Sequence, residues 1–188
     1  RRKLLQEKGT ASAPAWSPDG RRLALRLSRD GNHDIYIFDV AASRLTRLTK
    51  HPGIDTEPAW SPNGRHLVFT SDRSGRPHIF RISAAGGPAQ RLTKEGRENA
   101  GASYDPNGKH LVMVTNQGNG DQIGVFYTGN NELKLLTDGP LDDSPTYSPN
   151  GAMIMYATQR GNQGVLAAVS ADGRIKQILR LHQGEVRE

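Results

Sequence analysis

Few side chains able to do chemistry recur in this chain, and those that do fall at one place in a repeated pattern. Asp55, Thr56 and Glu57 stand just before the phrase Pro58-Ala59-Trp60-Ser61-Pro62-Asn63-Gly64, and Asp142 and Asp143 open the corresponding loop of a later copy. Thr10 and Ala13 occupy the equivalent place one copy earlier. Converging carboxylates can hold a hard cation such as calcium, which takes oxygen ligands. The spacing here is not that of a metal loop, so solvated acids are expected and no metal ligand is assigned. A carboxylate at Glu57 can instead accept donors from an inserted segment, and charge-assisted hydrogen bonds are the strong kind.

Other chemistry finds little support. His66 and His110 share one repeat position, while His33, His51, His78 and His182 are scattered. No GxSxG elbow, HExxH pair or GxxxxGK loop occurs, so the local signatures of hydrolysis and nucleotide binding are missing. Gly118-Asn119-Gly120 followed by Gly124 has the wrong spacing for a phosphate cradle and reads as a loop. The chain has no cysteine, which excludes a disulfide framework and a thiolate zinc site. No cofactor is expected.

The elements that position these residues are repeats. The phrase reads PAWSPDG from Pro14, PAWSPNG from Pro58, ASYDPNG from Ala102 and PTYSPNG from Pro145, and its second prolines (Pro18, Pro62, Pro106, Pro149) lie 44, 44 and 43 residues apart. Pro presets φ, Asp or Asn tolerates the second central position and Gly closes the turn, so each copy predicts a tight hairpin. The preceding aromatic (Trp16, Trp60, Tyr104, Tyr147) is expected to fill core between repeats. Beyond each turn come apolar runs with strand character (LALRL, LVFTS, LVMVT, IMYAT), then a Gly- and Asn-rich loop, a second run (IYIFDV, HIFRIS, IGVFYT, VLAAVS) and a short outer run (RLTRLT, AQRLT, LKLLT, IKQIL). Four antiparallel strands in about 44 residues is the size of a propeller blade.

The expected fold is all-β, a β-propeller with four four-stranded blades divided at 14–57, 58–101, 102–144 and 145–188, preceded over 1–13 by the outer strand and loop of another blade. Arg2-Lys3-Leu4-Leu5 aligns with Thr46-Arg47-Leu48-Thr49 as that outer strand, and Glu188 falls where a further inner strand would begin. The array therefore reads as part of a larger propeller, with two open blade faces. No apolar run approaches the roughly 20 residues that span a bilayer, and Arg1-Arg2-Lys3-Leu4-Leu5 lacks the apolar region of a signal peptide. The +6 charge is spread through every repeat, which predicts a solvated surface and no nucleic-acid footprint.

The SPDG or SPNG phrase followed by an apolar strand resembles the PD40, or WD40-like, β-propeller repeat. The strings EPAWSPNGRHLVFTSDRSGRPHIFRISAAGGPAQRLTKEG and DGPLDDSPTYSPNGAMIMYAT resemble the carboxy-terminal propeller of the TolB family, periplasmic components of the Tol-Pal system of Gram-negative bacteria. The fourth repeat has Arg180 where the others have Thr49, Thr93 and Thr137.

The resemblance implies a six-bladed ring behind an amino-terminal α/β domain, with a non-enzymatic periplasmic role in outer-membrane integrity and cell division. It implies that the peptidoglycan-associated lipoprotein, Pal, is received at the rim and channel mouth formed by the loops before the inner strands and those joining second and third strands. The residues expected there are Thr10, Ala13, Asp55, Thr56, Glu57, Asp72, Arg73, Asn99, Asp142 and Asp143. Colicins or phage proteins would use the same rim, TolA would bind only through a segment outside these residues, and any membrane link would be indirect. Two other classes stand beside this one. The first is the gating propeller of a prolyl-oligopeptidase-like serine peptidase, whose Ser-Asp-His triad nothing here supplies; the second is a binder of cell-wall sugars.

Overall fold

The computed structural model describes residues 5–179, and the chain divides between Leu92 and Thr93 into two compact units. The readings placed on Arg2 to Leu4, Arg180, His182 and Glu188 lie outside the described residues. Each unit holds two four-stranded antiparallel sheets in which consecutive strands are neighbours. In the first unit these are β1 (Ala11–Trp16), β2 (Arg22–Leu27), β3 (Asp34–Asp39) and β4 (Arg44–Arg47), then β5 (Asp55–Trp60), β6 (His66–Ser71), β7 (His78–Ser83) and β8 (Gln90–Arg91). In the second they are β9 (Glu98–Tyr104), β10 (His110–Asn116), β11 (Asp121–Tyr127) and β12 (Glu132–Leu135), then β13 (Asp143–Tyr147), β14 (Met153–Arg160), β15 (Gln163–Ser170) and β16 (Lys176–Ile178). The only helix among the described residues is a 3-10 turn at Arg29–Gly31, and none is long and apolar enough to cross a membrane.

The middle strands of the first three sheets are largely buried on both faces, whereas Met155 on β14 of the fourth is 41% exposed. From β2 and β3, Ala24, Ile35 and Ile37 meet Leu67, Phe69, Phe80 and Ile82 of the next sheet. On the other face Leu25, Leu27, Tyr36 and Phe38 form a second cluster, with Leu5, Leu23, Val40 and Leu45 at its margin. In the second unit Val112, Ile123, Val125 and Leu136 pack against Ile154, Tyr156, Ala167 and Val169. Burying such side chains is the main stabilising contribution in sheets stacked this way.

The repeated phrase makes the turn it predicts, with a detail the sequence did not supply. In the first copy Ser17 Oγ donates to Asp19 Oδ1 at 2.5 Å and accepts from the Arg22 amide at 2.9 Å, while the Gly20 amide donates to Ser17 O at 2.8 Å. Ser61 and Ser148 repeat these bonds with Asn63 and Asn150. In the third copy Asp105 takes the serine's place and accepts from the amides of Lys109 and His110. The turn thus satisfies its own polar groups within six residues, as a reversal at a sheet end requires.

Two expectations need correction. The inner strands begin at Ala11, Asp55, Glu98 and Asp143, ahead of the divisions at Pro14, Pro58, Ala102 and Pro145. The reason is a bulge: in each sheet three steps on the inner strand oppose two on its neighbour, between Ser12 and Ala15, Thr56 and Ala59, Ala100 and Ser103, and Asp143 and Thr146. The aromatics also differ. Trp60 is buried, Tyr104 and Tyr147 are half-buried, but Trp16 is 54% exposed. Trp60 is covered by the sheet before it, whereas the described residues ahead of β1, 5–10, form no strand.

Candidate functional site

The bulge sets the geometry of the expected site. Ala13, Glu57, Gly101 and Ser144 hold the same place in the four repeats, and all have positive φ, at 48°, 53°, 61° and 51°. For residues with a Cβ the left-handed region costs about 1–2 kcal/mol, so three of the four repeats carry strain at one point. Glu57 is exposed there, and its Oε2 accepts a hydrogen bond from Thr70 Oγ1 at 2.7 Å. Thr56 is half-buried and pairs across the sheet with Thr70. Thr10 is exposed and exchanges bonds with Ser28, its amide donating to Ser28 Oγ at 2.8 Å and its carbonyl accepting from the Ser28 amide at 3.0 Å.

The loop before β5 is held from both sides. Asn32 Nδ2 donates to the carbonyls of His51 and Gly53, and Asp72 Oδ1 accepts from the Ile54 amide at 2.7 Å. Gly53 is required there, since a Cβ would stand 2.6 Å from Asp72 Oδ1 and 3.0 Å from the Arg73 backbone. A loop pinned in this way is a rigid platform, the usual setting for recognition.

Asp55, expected on the rim, lies beneath it. It is fully buried, and both carboxylate oxygens accept from Arg73 Nη2, at 2.8 and 2.7 Å. Arg73 also donates through Nε to Ser71 Oγ at 2.9 Å, and its guanidinium lies over the rings of Phe69 and Phe80. The carboxylate, buried and held at both oxygens, ties the start of β5 to the loop after β6.

In the second unit the equivalents of Asp55 are buried too. Asn99 Nδ2 donates to Glu95 O at 2.8 Å, and Asp142 Oδ1 accepts from Thr158 Oγ1 at 2.5 Å. Asp143 is exposed, and its Oδ1 accepts from the Ser144 amide at 2.6 Å. Of the expected residues, then, Thr10, Glu57 and Asp143 present themselves fully, Ala13, Thr56, Asp72 and Arg73 in part, while Asp55, Asn99 and Asp142 support from within. Among the described residues no three His, Asp or Glu side chains are placed to hold a metal ion.

Sequence reasoning missed two supports. Arg47 Nη2 donates to buried Asp34 at 2.5 Å; burial pushes the Asp34 carboxyl above its ordinary range, against the opposing pull of Arg47. Thr49 and Thr137 accept through Oγ1 from the amides of Ile35 and Ile123, closing the ladder past the outer strand. The recurring threonine in RLT and LLT was the available signal.

Four-stranded antiparallel meanders, packed face to face in pairs and repeated at a fixed interval, define this chain as a β-propeller repeat protein. The chain belongs to the family described as PD40, TolB beta propeller domain, which matches residues 1–188. A Tol-Pal system protein TolB from Thioalkalivibrio sulfidiphilus is 52% identical over 76 residues, covering 40% of this chain and 18% of that protein. The crystal structure of TolB from Acinetobacter baumannii superposes with a TM-score of 0.90 at 38% identity, covering 98% of this chain and 46% of that one. The chain thus spans less than half of the TolB chain it resembles. A puromycin-hydrolyzing peptidase from Mycobacterium tuberculosis gives a TM-score of 0.76 at 17% identity, over 100% of this chain and 31% of that one. That likeness concerns the fold alone, so the peptidase-gate expectation gains no support beyond it.

Proposed function

We propose that this chain is the interaction surface of a non-enzymatic periplasmic scaffold in the Tol-Pal system, and that the bulged ends of its inner strands receive Pal. The observation that carries this reading is Glu57: an exposed carboxylate on a strained bulge, oriented by Thr70, beside a loop clamped by Asn32 and Asp72. Rigid placement lowers the ordering cost of binding, so a carboxylate held this way gains more from a partner's donors than a mobile one. Thr10, Ala13, Thr56 and Asp72 extend the contact in the first unit, and Asp143 belongs to the corresponding edge in the second. Asp55, Arg73, Asn99 and Asp142 act by shaping those edges. In this reading the scaffold supports outer-membrane integrity and cell division, and colicins or phage proteins that imitate Pal use the same edge. TolA is not assigned to these residues.

The test is a calorimetric titration of the folded chain with the soluble domain of Pal. Glu57→Arg is expected to weaken binding by about 1–3 kcal/mol, the range for a central interface residue, without lowering the melting temperature. Unchanged affinity in a folded Glu57→Arg variant would overturn the placement.

A further inference from the structure

The other ends of the strands in the first unit carry a feature that the Pal reading does not use. Arg22 opens β2 just past the Ser17–Gly20 turn. Its guanidinium lies 4.6 Å from the centroid of the Trp60 ring, and Nη2 donates to Gly64 O at 3.2 Å. Stacking and that bond fix the cation while leaving most of its five N–H donors free. Arg44, exposed, opens β4 opposite Asp39 at the same end of the sheet.

Between the two arginines is a cavity of about 290 Å³, walled by Ile37, Thr46 and Leu48 on one side and by Ala84, Ala85 and Gly86 on the other. Asp39 reaches it as well, but Asp39 Oδ1 is engaged by the Ala42 amide at 2.8 Å. Arg47 also borders it, with its guanidinium committed to Asp34. Two guanidinium groups with donors to spare therefore face one partly used carboxylate. Beyond the wall, a Cβ placed on Gly86 or Gly87 would meet nothing within 4 Å, so the entrance is open.

The second unit shows that the repeat does not create this cavity by itself. His110, Tyr127, Glu132 and Lys134 stand where the first unit has Arg22, Asp39, Arg44 and Thr46. There the His110 and Tyr127 rings pack edge to face at 4.7 Å, and Lys134 Nζ donates across to Asp172 O at 2.8 Å. Leu136 fills the space beside Gly173, within 3.2 Å of where a Cβ would stand.

We infer that the cavity between Arg22 and Arg44 is a carboxylate-binding site that takes an acidic side chain of a partner peptide. The carboxylate lies between the two guanidinium forks, whose planar donors match its geometry. The side-chain methylenes rest on Ile37 and Leu48, and the peptide backbone passes over Ala85 and Gly86, where no side chain obstructs it. The site is at the strand ends opposite Glu57 and is independent of the Pal reading.

Trp60 reports on it, because a ligand that engages Arg22 alters the cation stacked on the indole. In the full chain carrying Trp16→Phe, which leaves Trp60 as its one tryptophan, titration with N-acetyl-tetraglutamate amide is expected to give a saturable change in tryptophan fluorescence. Added salt should weaken it, as for any exposed charge pairing. Arg44→Gln is expected to weaken binding by about tenfold or more with an unchanged melting curve, since Arg44 makes no ion pair among the described residues. N-acetyl-tetraglutamine amide should give no change. Equal binding of the glutamine peptide, equal binding by Arg44→Gln, or no fluorescence change in the folded protein would each overturn the proposal. Glutarate binding as tightly as the peptide would show a site for free dicarboxylates and overturn the peptide assignment.

Discussion

The indole Nε1 of Trp60 donates to the carbonyl oxygen of Ala15 at 3.0 Å, so the aromatic of one repeat closes a bond onto the inner strand of the repeat before it. Trp60 is 7% exposed and Trp16, in the same phrase, 54%. Trp60→Ala is therefore expected to cost about 3–5 kcal/mol, the range for a buried large aromatic. Trp16→Ala should stay within about 0.5 kcal/mol, as exposed substitutions do. Urea unfolding followed by circular dichroism distinguishes them; equal losses would mean that Trp16 is covered in solution.

A second expectation concerns strain at the bulge. Ser144 has φ of 51° with no compensating glycine. Ser144→Gly removes a cost of about 1–2 kcal/mol and adds back about 0.5–1 kcal/mol of chain entropy. A net gain of about 0.5 kcal/mol should follow, whereas Ser144→Val, β-branched in the same conformation, should lose about 1 kcal/mol or more. Thermal melting of the two variants checks the sign; stabilisation by valine would contradict the bulge geometry.

The Asp55–Arg73 pair predicts an asymmetric response to truncation. Asp55→Ala leaves a largely buried guanidinium without its carboxylate and is expected to cost about 3–5 kcal/mol. Asp55→Asn keeps an acceptor oxygen for Arg73, asparagine being the residue at the same place in the next repeat, and should cost less. Combining Asp55→Ala with Arg73→Met should recover part of the loss, because the stranded charge is gone. A double-mutant cycle measures this directly; strictly additive losses would show that the two residues act separately.

Acid stability depends on the turns. Asp19 is held below its ordinary 3.8 by the Ser17 hydroxyl and the Arg21 amide, and Asp172 likewise by the Ser170 hydroxyl and the Arg174 amide. A carboxylate lowered on folding contributes stability that is complete above 3.8 and is lost as pH falls through its lower folded value. Asp34, raised by burial, works in the opposite sense: protonation relieves its cost. The turns with Asn63 and Asn150 make the same bonds without titrating. The variant carrying Asp19→Asn and Asp172→Asn is thus expected to lose less stability below about pH 4 than the parent. Melting temperatures between about pH 2 and 7 test this; superimposable profiles would remove the turns from the acid response.

What could be read from the sequence was what is chemically local. The turn phrase carries its own hydrogen bonds, so Pro18, Pro62, Pro106 and Pro149 mark real reversals and the apolar runs after them are strands. Ser170-Ala171-Asp172-Gly173 makes the same turn between β15 and β16 and went unread because it lacks the proline. The bulge was hidden because DTEPAW shows no clean alternation across its extra residue. Asp55 looked like a rim acid because its partner, Arg73, lies 18 residues further on. Trp16 and Trp60 share a phrase but differ in burial because the cover comes from another sheet.

The extra residue in each inner strand also separates two kinds of variation. Side chains after it keep the two-residue phase that aims Trp60 inward; those before it run in a shifted phase and have no part in that alternation. Substitutions directly ahead of Ala13, Glu57, Gly101 or Ser144 can therefore rewrite the outward-facing edge one repeat at a time. Ser12, Thr56, Ala100 and Asp143 are four such spellings set before the same kink. The kink works as an insulator, letting the edge diversify while the stacked interior stays common to every repeat.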